Sequence, residues 1–173
     1  MPDIQVILGD ITKQKVDAIV NAANCTLKGG GGVDGAIHWA AGPELLAECC
    51  TLHGCDTGKA KITRAYRLEA QGVRHIIHTP GPVWHGGRYG EEDLLRSCYL
   101  SSLELASQYG CKTVDFPSIS TGVYRFPLEK AAPIAIGAIA DYMAEHPEIQ
   151  RVRMVCFDGR TKAFYDRALE ELR

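Results

Sequence analysis

Five segments carry residue types that could do chemistry: Gly9-Asp10-Ile11, Asn21-Ala22-Ala23-Asn24, the stretch from Lys28 to Ile37, Ser118 to Tyr124, and Phe157-Asp158. The stretch from Lys28 opens with four consecutive glycines. Ordering four glycines loses much conformational entropy, and no packing need calls for them. What they allow is close approach of backbone N–H groups to an anion, reinforced by the positive end of a following helix. The run is not a Walker A loop, because Gly32-Val33-Asp34 stands where a Lys-Ser/Thr pair belongs. Nor is it a dinucleotide fingerprint, since polar Asn21 to Asn24 intervenes and an Asp enters the loop. An acid there would repel a phosphate that it faced, so Asp34 is expected to address something else, such as a ribose hydroxyl or a water. Ser120 to Tyr124 is a second loop of small residues, and two such loops opposed could clamp a diphosphate. Blander roles stay open: Asp10 and Asp34 as helix N-caps, Asn21 and Asn24 as turn residues, and Gly122 as part of a turn before a helix near Pro127.

The elements that must position these segments alternate in kind. Ile4–Leu8, Ala18–Val20, Lys61–Arg67, Val73–His78, Thr113–Phe116 and Val152–Phe157 read as strands. Glu44–Leu52, Glu91–Tyr109, Leu128–Glu145 and Lys162–Leu172 read as helices, and the glycine run leads into another helical pattern. About six strands separated by helices imply an α/β fold, a mixed sheet with helices on both faces. Ligands of such sheets settle beyond the carboxyl ends of the strands. Four of the five segments follow strands directly.

The remaining composition bounds the answer. With 173 residues, 46% hydrophobic and 23% charged, the chain reads as one domain, residues 1–173, without repeat or linker. A net charge of −2 gives no reason to expect nucleic acid or an anionic membrane as a partner. Seven irregularly placed cysteines suit a reducing compartment rather than a disulfide framework. With neither a secretory pattern at Met1–Gly9 nor a spanning apolar run, the expected location is cytoplasmic.

Six segments in order, Gly9-Asp10-Ile11, Val20 to Asn24, Gly30 to Ile37, Gly58 to Thr63, His78 to Trp84 and Pro117 to Tyr124, give the chain its resemblance to the macro domain family. The branch it resembles includes O-acetyl-ADP-ribose deacetylases and mono-ADP-ribosyl hydrolases. The resemblance implies a three-layer α/β/α macro domain and a ligand of ADP-ribose or its O-acyl derivatives, with mono-ADP-ribosylated proteins as further partners. By the same similarity, Asp10 would accept from the adenine amine and the Ile11 N–H would donate to the ring. Phe157 would stack near the adenine, with Asp158 and Asn21 among the binding residues. Gly31, Gly32 and Val33 would line the diphosphate and distal ribose, and Ser120, Thr121, Gly122, Val123 and Tyr124 would close over them. Asn24 would hold the distal ribose hydroxyls, since an amide both donates and accepts. Asp34 would orient a water for hydrolysis, with no cofactor or metal. The competing reading is a module that reads ADP-ribose without turning it over; Asp34 favours the hydrolase.

One cysteine cluster and one lone cysteine look like sites and are set aside. Cys49, Cys50, His53 and Cys55 lack the second ligand pair that a structural zinc usually has. Cys25 follows Asn24 but reads as a passive loop residue. Trp39 and Trp84 read as core or rim aromatics, and Arg64, Arg67 and Arg74 as a solvated face.

Overall fold

The computed structural model describes residues 2–173. Six strands form one sheet: β1 (Ile4–Leu8), β2 (Ala18–Ala23), β3 (Lys61–Arg64), β4 (His75–Pro80), β5 (Thr113–Phe116) and β6 (Arg151–Cys156). Their spatial order is β1-β6-β5-β2-β4-β3. All neighbours are parallel except β3, which runs antiparallel to β4. This is the mixed α/β/α architecture expected.

Inner strands of a parallel sheet are apolar on both faces because helices cover both. Alternating side chains sort accordingly. Ile19, Ile76 and Val155 enter a core under α1 (Gly32–Ala41) and α2 (Pro43–Cys50), with Ile37, Ala41 and Leu45. Val20, Ile77, Phe116 and Met154 enter the opposite core, under α3 (Glu91–Gln108), α4 (Leu128–Glu145) and α5 (Gly159–Leu172).

Three differences from the sequence reading bear on the site. The second strand runs on to Ala23, so Asn21 lies inside it rather than in a turn. The third ends at Arg64, because Tyr66–Gln71 curls into a 3-10 turn. The last helix starts at Gly159, where Asp158 caps it.

The pairing also opens the site. β2 pairs along six residues with β4 but only at Ala18 and Ile19 with β5. Beyond Ile19 and Asp115 the two strands part. Their following loops, which carry the glycine run and Ser118–Tyr124, leave a crevice at the carboxyl edge, where ligands of open α/β sheets bind.

Candidate functional site

Three of the five segments sit at the ends of β1, β5 and β6, one closes β2, and the glycine run leads into α1. In the loop after β5, Ser118 Oγ lies 2.7 Å from the buried Tyr165 hydroxyl of α5 and 2.6 Å from Thr121 Oγ1. The Ile119 N–H donates to the Tyr99 hydroxyl of α3 at 3.4 Å. The loop is thus held from beneath. Ser120 (φ 67°) and Arg125 (φ 62°) take left-handed backbone conformations that non-glycine residues hold only when the surroundings enforce them. Gly81 makes room for the first of them, because a Cβ there would collide with Ser120 Oγ and the Ile119 side chain. The N–H groups of Thr121, Gly122, Val123 and Tyr124 have no protein acceptor among the described residues. The first N–H groups of a helix have no acceptor within it, so Gly32 and Val33 at the start of α1 supply a second set, with Gly31 in the N-cap position.

The glycines also set the packing of this loop. The Gly30 carbonyl rests on Gly35 so closely that a Cβ at position 35 would lie 2.5 Å from its oxygen. Gly35→Ala must therefore displace the loop from α1. The expected cost is about 1–3 kcal/mol, as for other overpacked sites, with weakened anion binding; thermal denaturation and ligand titration of that variant check both.

Asp34 lies in the first turn of α1 and is buried. It is not a cap, because the cap position is Gly31 and the Asp34 side chain bonds elsewhere. Its Oδ1 accepts from Asn21 Nδ2 at 2.8 Å. His38, one turn on, brings Nε2 to 3.5 Å from the same oxygen, within ion-pair range but not aligned as a hydrogen bond. The other oxygen, Oδ2, faces Gly30, where the Asn24 Nδ2 also points. Burial pushes the Asp34 carboxyl above its ordinary range, partly offset by the Asn21 hydrogen bond and by His38.

Behind Asp34 runs a buried polar chain that sequence reasoning did not find. In the sheet register Asn21 lies beside His78, and Asn21 Nδ2 is 3.1 Å from His78 Nδ1. On the far side of the ring, His78 Nε2 lies 3.0 Å from Thr63 Oγ1 and 3.9 Å from Cys49 Sγ. Thr63 donates its own proton to the Arg64 carbonyl at 3.0 Å. It must then accept from His78 Nε2–H, which leaves Nδ1 a bare acceptor. Burial holds the ring neutral, its pKa lowered to about 3. Two acceptors, Nδ1 and the Asp34 carboxylate, thus converge on one end of the Asn21 amide, which must be the NH₂. Asn21 Oδ1 is left buried without a partner, a penalty of about 1–3 kcal/mol accepted to keep that orientation.

Several sequence-derived assignments need correction. Asn21 has 0% exposure and no access to a ligand, so it acts on Asp34 instead. Asn24 was expected to donate and accept, but its Oδ1 is filled by Thr26 N, Thr26 Oγ1 and Leu27 N. Its Nδ2 gives one proton to the Gly29 carbonyl, which leaves a single N–H for a ligand. Asp158 caps α5 through Oδ1, which accepts from Thr161 N at 2.8 Å. Asp10 caps the Ile11–Lys13 turn through Oδ1, bonded to Thr12 N and Oγ1, and keeps Oδ2 open. Phe157 at 88% and Val123 at 92% exposure stand at the crevice as uncovered apolar surface, while Ile11 is buried and Tyr124 half-buried. Among the solvated residues, Trp39 proves fully a rim residue, and Trp84 packs on Phe126 with ring centroids 4.8 Å apart. Among the described residues no three His, Cys, Asp or Glu side chains are grouped to hold a metal, and no helix is long and apolar enough to cross a membrane.

Comparison with known proteins decides the family. The model of the macro domain matches residues 20–135. The chain belongs to the macro domain family. This macro domain is 56% identical over 173 residues to a macro domain-containing protein of Lactiplantibacillus plantarum, covering 99% of each chain. It is 49% identical over 172 residues to the O-acetyl-ADP-ribose deacetylase of Escherichia fergusonii, covering 97% of this chain and 96% of the other. Among solved structures, an Oceanobacillus iheyensis macrodomain with ADP superposes with a TM-score of 0.90 at 42% identity, covering 96% of this chain and 90% of that one. A Trypanosoma brucei macrodomain in complex with ADP-ribose gives 0.89 at 41% identity, covering 96% and 68%.

Proposed function

We propose that this macro domain binds ADP-ribose across the two strand-end loops and hydrolyses an ester or glycosidic bond at the distal ribose. Asp34 carries the reading. The two sets of unpaired N–H groups suit a diphosphate. The exposed Phe157 ring and the open Oδ2 of Asp10 suit the adenine, and the free Asn24 N–H suits a distal hydroxyl. Solved relatives hold ADP or ADP-ribose, and one relative is named a deacetylase.

Asp34 combines burial, a raised pKa and one oxygen fixed by Asn21, which leaves Oδ2 to orient and deprotonate a water. That water attacks the acetyl carbonyl of O-acetyl-ADP-ribose, releasing acetate. With an ADP-ribosylated carboxylate it attacks the anomeric carbon, releasing the side chain. A raised pKa strengthens the base. The substrates would include mono-ADP-ribosylated acidic side chains of proteins. The test offers purified protein O-acetyl-ADP-ribose and Glu-linked and Ser-linked ADP-ribosyl peptides in parallel. Release of acetate or of ADP-ribose from the Glu-linked peptide is expected. ADP-ribose binding with no release from any of the three would make the chain a reader.

A further inference from the structure

A cavity of about 590 Å³ is lined by the glycine run but by no residue of Ser118–Tyr124. Its walls are the glycine run at Lys28–Gly30, α1 at His38 and Trp39, α2 at Pro43 and Leu46, and Arg67. Trp39 is 87% exposed and Leu46 is 40% exposed. A bare indole beside a half-exposed leucine is unusual on a surface unless something docks there. Lys28 and Arg67 have no ion-pair partner among the described residues, and no carboxylate lines the groove. In a chain of net charge −2 this is a local cationic site.

The groove is thinly separated from Asp34. The His38 ring packs 3.8 Å from the position a Cβ would take on Gly29, while its Nε2 lies 3.5 Å from Asp34 Oδ1. Gly30 lines the groove on one side and meets Asp34 Oδ2 on the other. A polypeptide attached to the distal ribose at Asp34 has only the Gly30 edge to cross before entering the groove.

We propose that this groove receives the acidic polypeptide segment that carries the ADP-ribose group. Its carboxylates pair with Lys28 and Arg67, and its main chain and aliphatic stems lie on Trp39 and Leu46. This rests on the functional reading above and adds a substrate class to it: modified proteins whose acceptor residue has acidic neighbours. The groove supplies binding and no chemistry, so a small substrate without a polypeptide does not feel it.

The test compares three substrates: a Glu-linked ADP-ribosyl peptide with acidic flanks, the same peptide with neutral flanks, and O-acetyl-ADP-ribose. The variants are Trp39→Ala and the charge reversal Lys28→Glu with Arg67→Glu, all solvent-exposed changes that leave both cores intact. For the acidic peptide, KM is expected to rise roughly 5–10-fold in the charge reversal and with added salt, as for two solvated ion pairs. O-acetyl-ADP-ribose turnover stays unchanged. Equal KM for acidic and neutral peptides in the native protein, or equal losses on all three substrates, overturns the groove. If nothing is hydrolysed, titration still separates the two claims. Tighter, salt-sensitive binding of the acidic conjugate than of free ADP-ribose keeps the groove while the hydrolase falls. Equal binding, or no binding of ADP-ribose at all, removes the groove too.

Discussion

Asp34→Asn is expected to lower turnover by roughly 10²–10⁴, the usual worth of a positioned general base, while ADP-ribose affinity stays within a few-fold. The substitution keeps the shape, and its side-chain oxygen can still accept from Asn21, so the loss isolates the charge. The native enzyme should lose turnover as pH falls through an apparent pKa above the ordinary carboxylate range, because burial raises the Asp34 carboxyl and the reaction needs it ionised. Stability moves the opposite way. A carboxyl whose folded pKa lies above its unfolded one stabilises the fold at low pH and loses that contribution as pH rises through the folded value. Ionised Asp34 therefore costs stability, so Asp34→Asn should melt higher than the native protein once the pH is above the folded value. The difference should close as the pH drops. Measuring kcat and Tm across pH on both proteins checks both signs.

Thr63→Val is expected to lower turnover roughly 10-fold or more, the range of a hydrogen bond lost from a charged group, and Thr63→Ser should restore it. Valine matches threonine in shape but offers His78 Nε2–H no acceptor. The ring then prefers its proton on Nδ1, where it meets the Asn21 oxygen once that amide turns over. The turned amide sets oxygen against Asp34 Oδ1 in place of the present N–H. Losing that donor raises the Asp34 pKa, so the acid limb of the rate profile should move up. The groups facing this chain are His38 beside Asp34, and His38 and Cys49 beside His78. Cys49 is held as a neutral thiol with its pKa pushed up to about 12, chiefly by burial. Nitrogen NMR of His78 reads the tautomer independently of activity. A native-like rate in Thr63→Val, or serine behaving like valine, removes the chain from the mechanism.

Much of this was legible in the residues, for physical reasons. Glycine runs and small-residue loops announce backbone exposure, and strands followed by such loops locate the carboxyl edge of a sheet. Asp34, the glycine run and Ser120 to Tyr124 were singled out that way. What failed depended on pairing across strands. Asn21 reads as a turn residue until β2 continues through it, and only the register beside β4 sets it against His78. Thr63 looked like one residue of an alternating strand; its role comes from β3 crossing antiparallel to β4. His38 carried a local signal, four residues after Asp34 on one helix face, and this could have been read. Asp10 and Asp158 show the reverse: the common capping role is realised in both.

A crystal structure with ADP-ribose bound measures the central geometry directly. The account predicts Asp34 Oδ2 within one bridging water of the distal ribose carbon that bears the leaving group, with Asn21 still bonded to Oδ1. A distal ribose lying across the crevice, with Asp34 turned wholly toward Asn21 and His38, would contradict it.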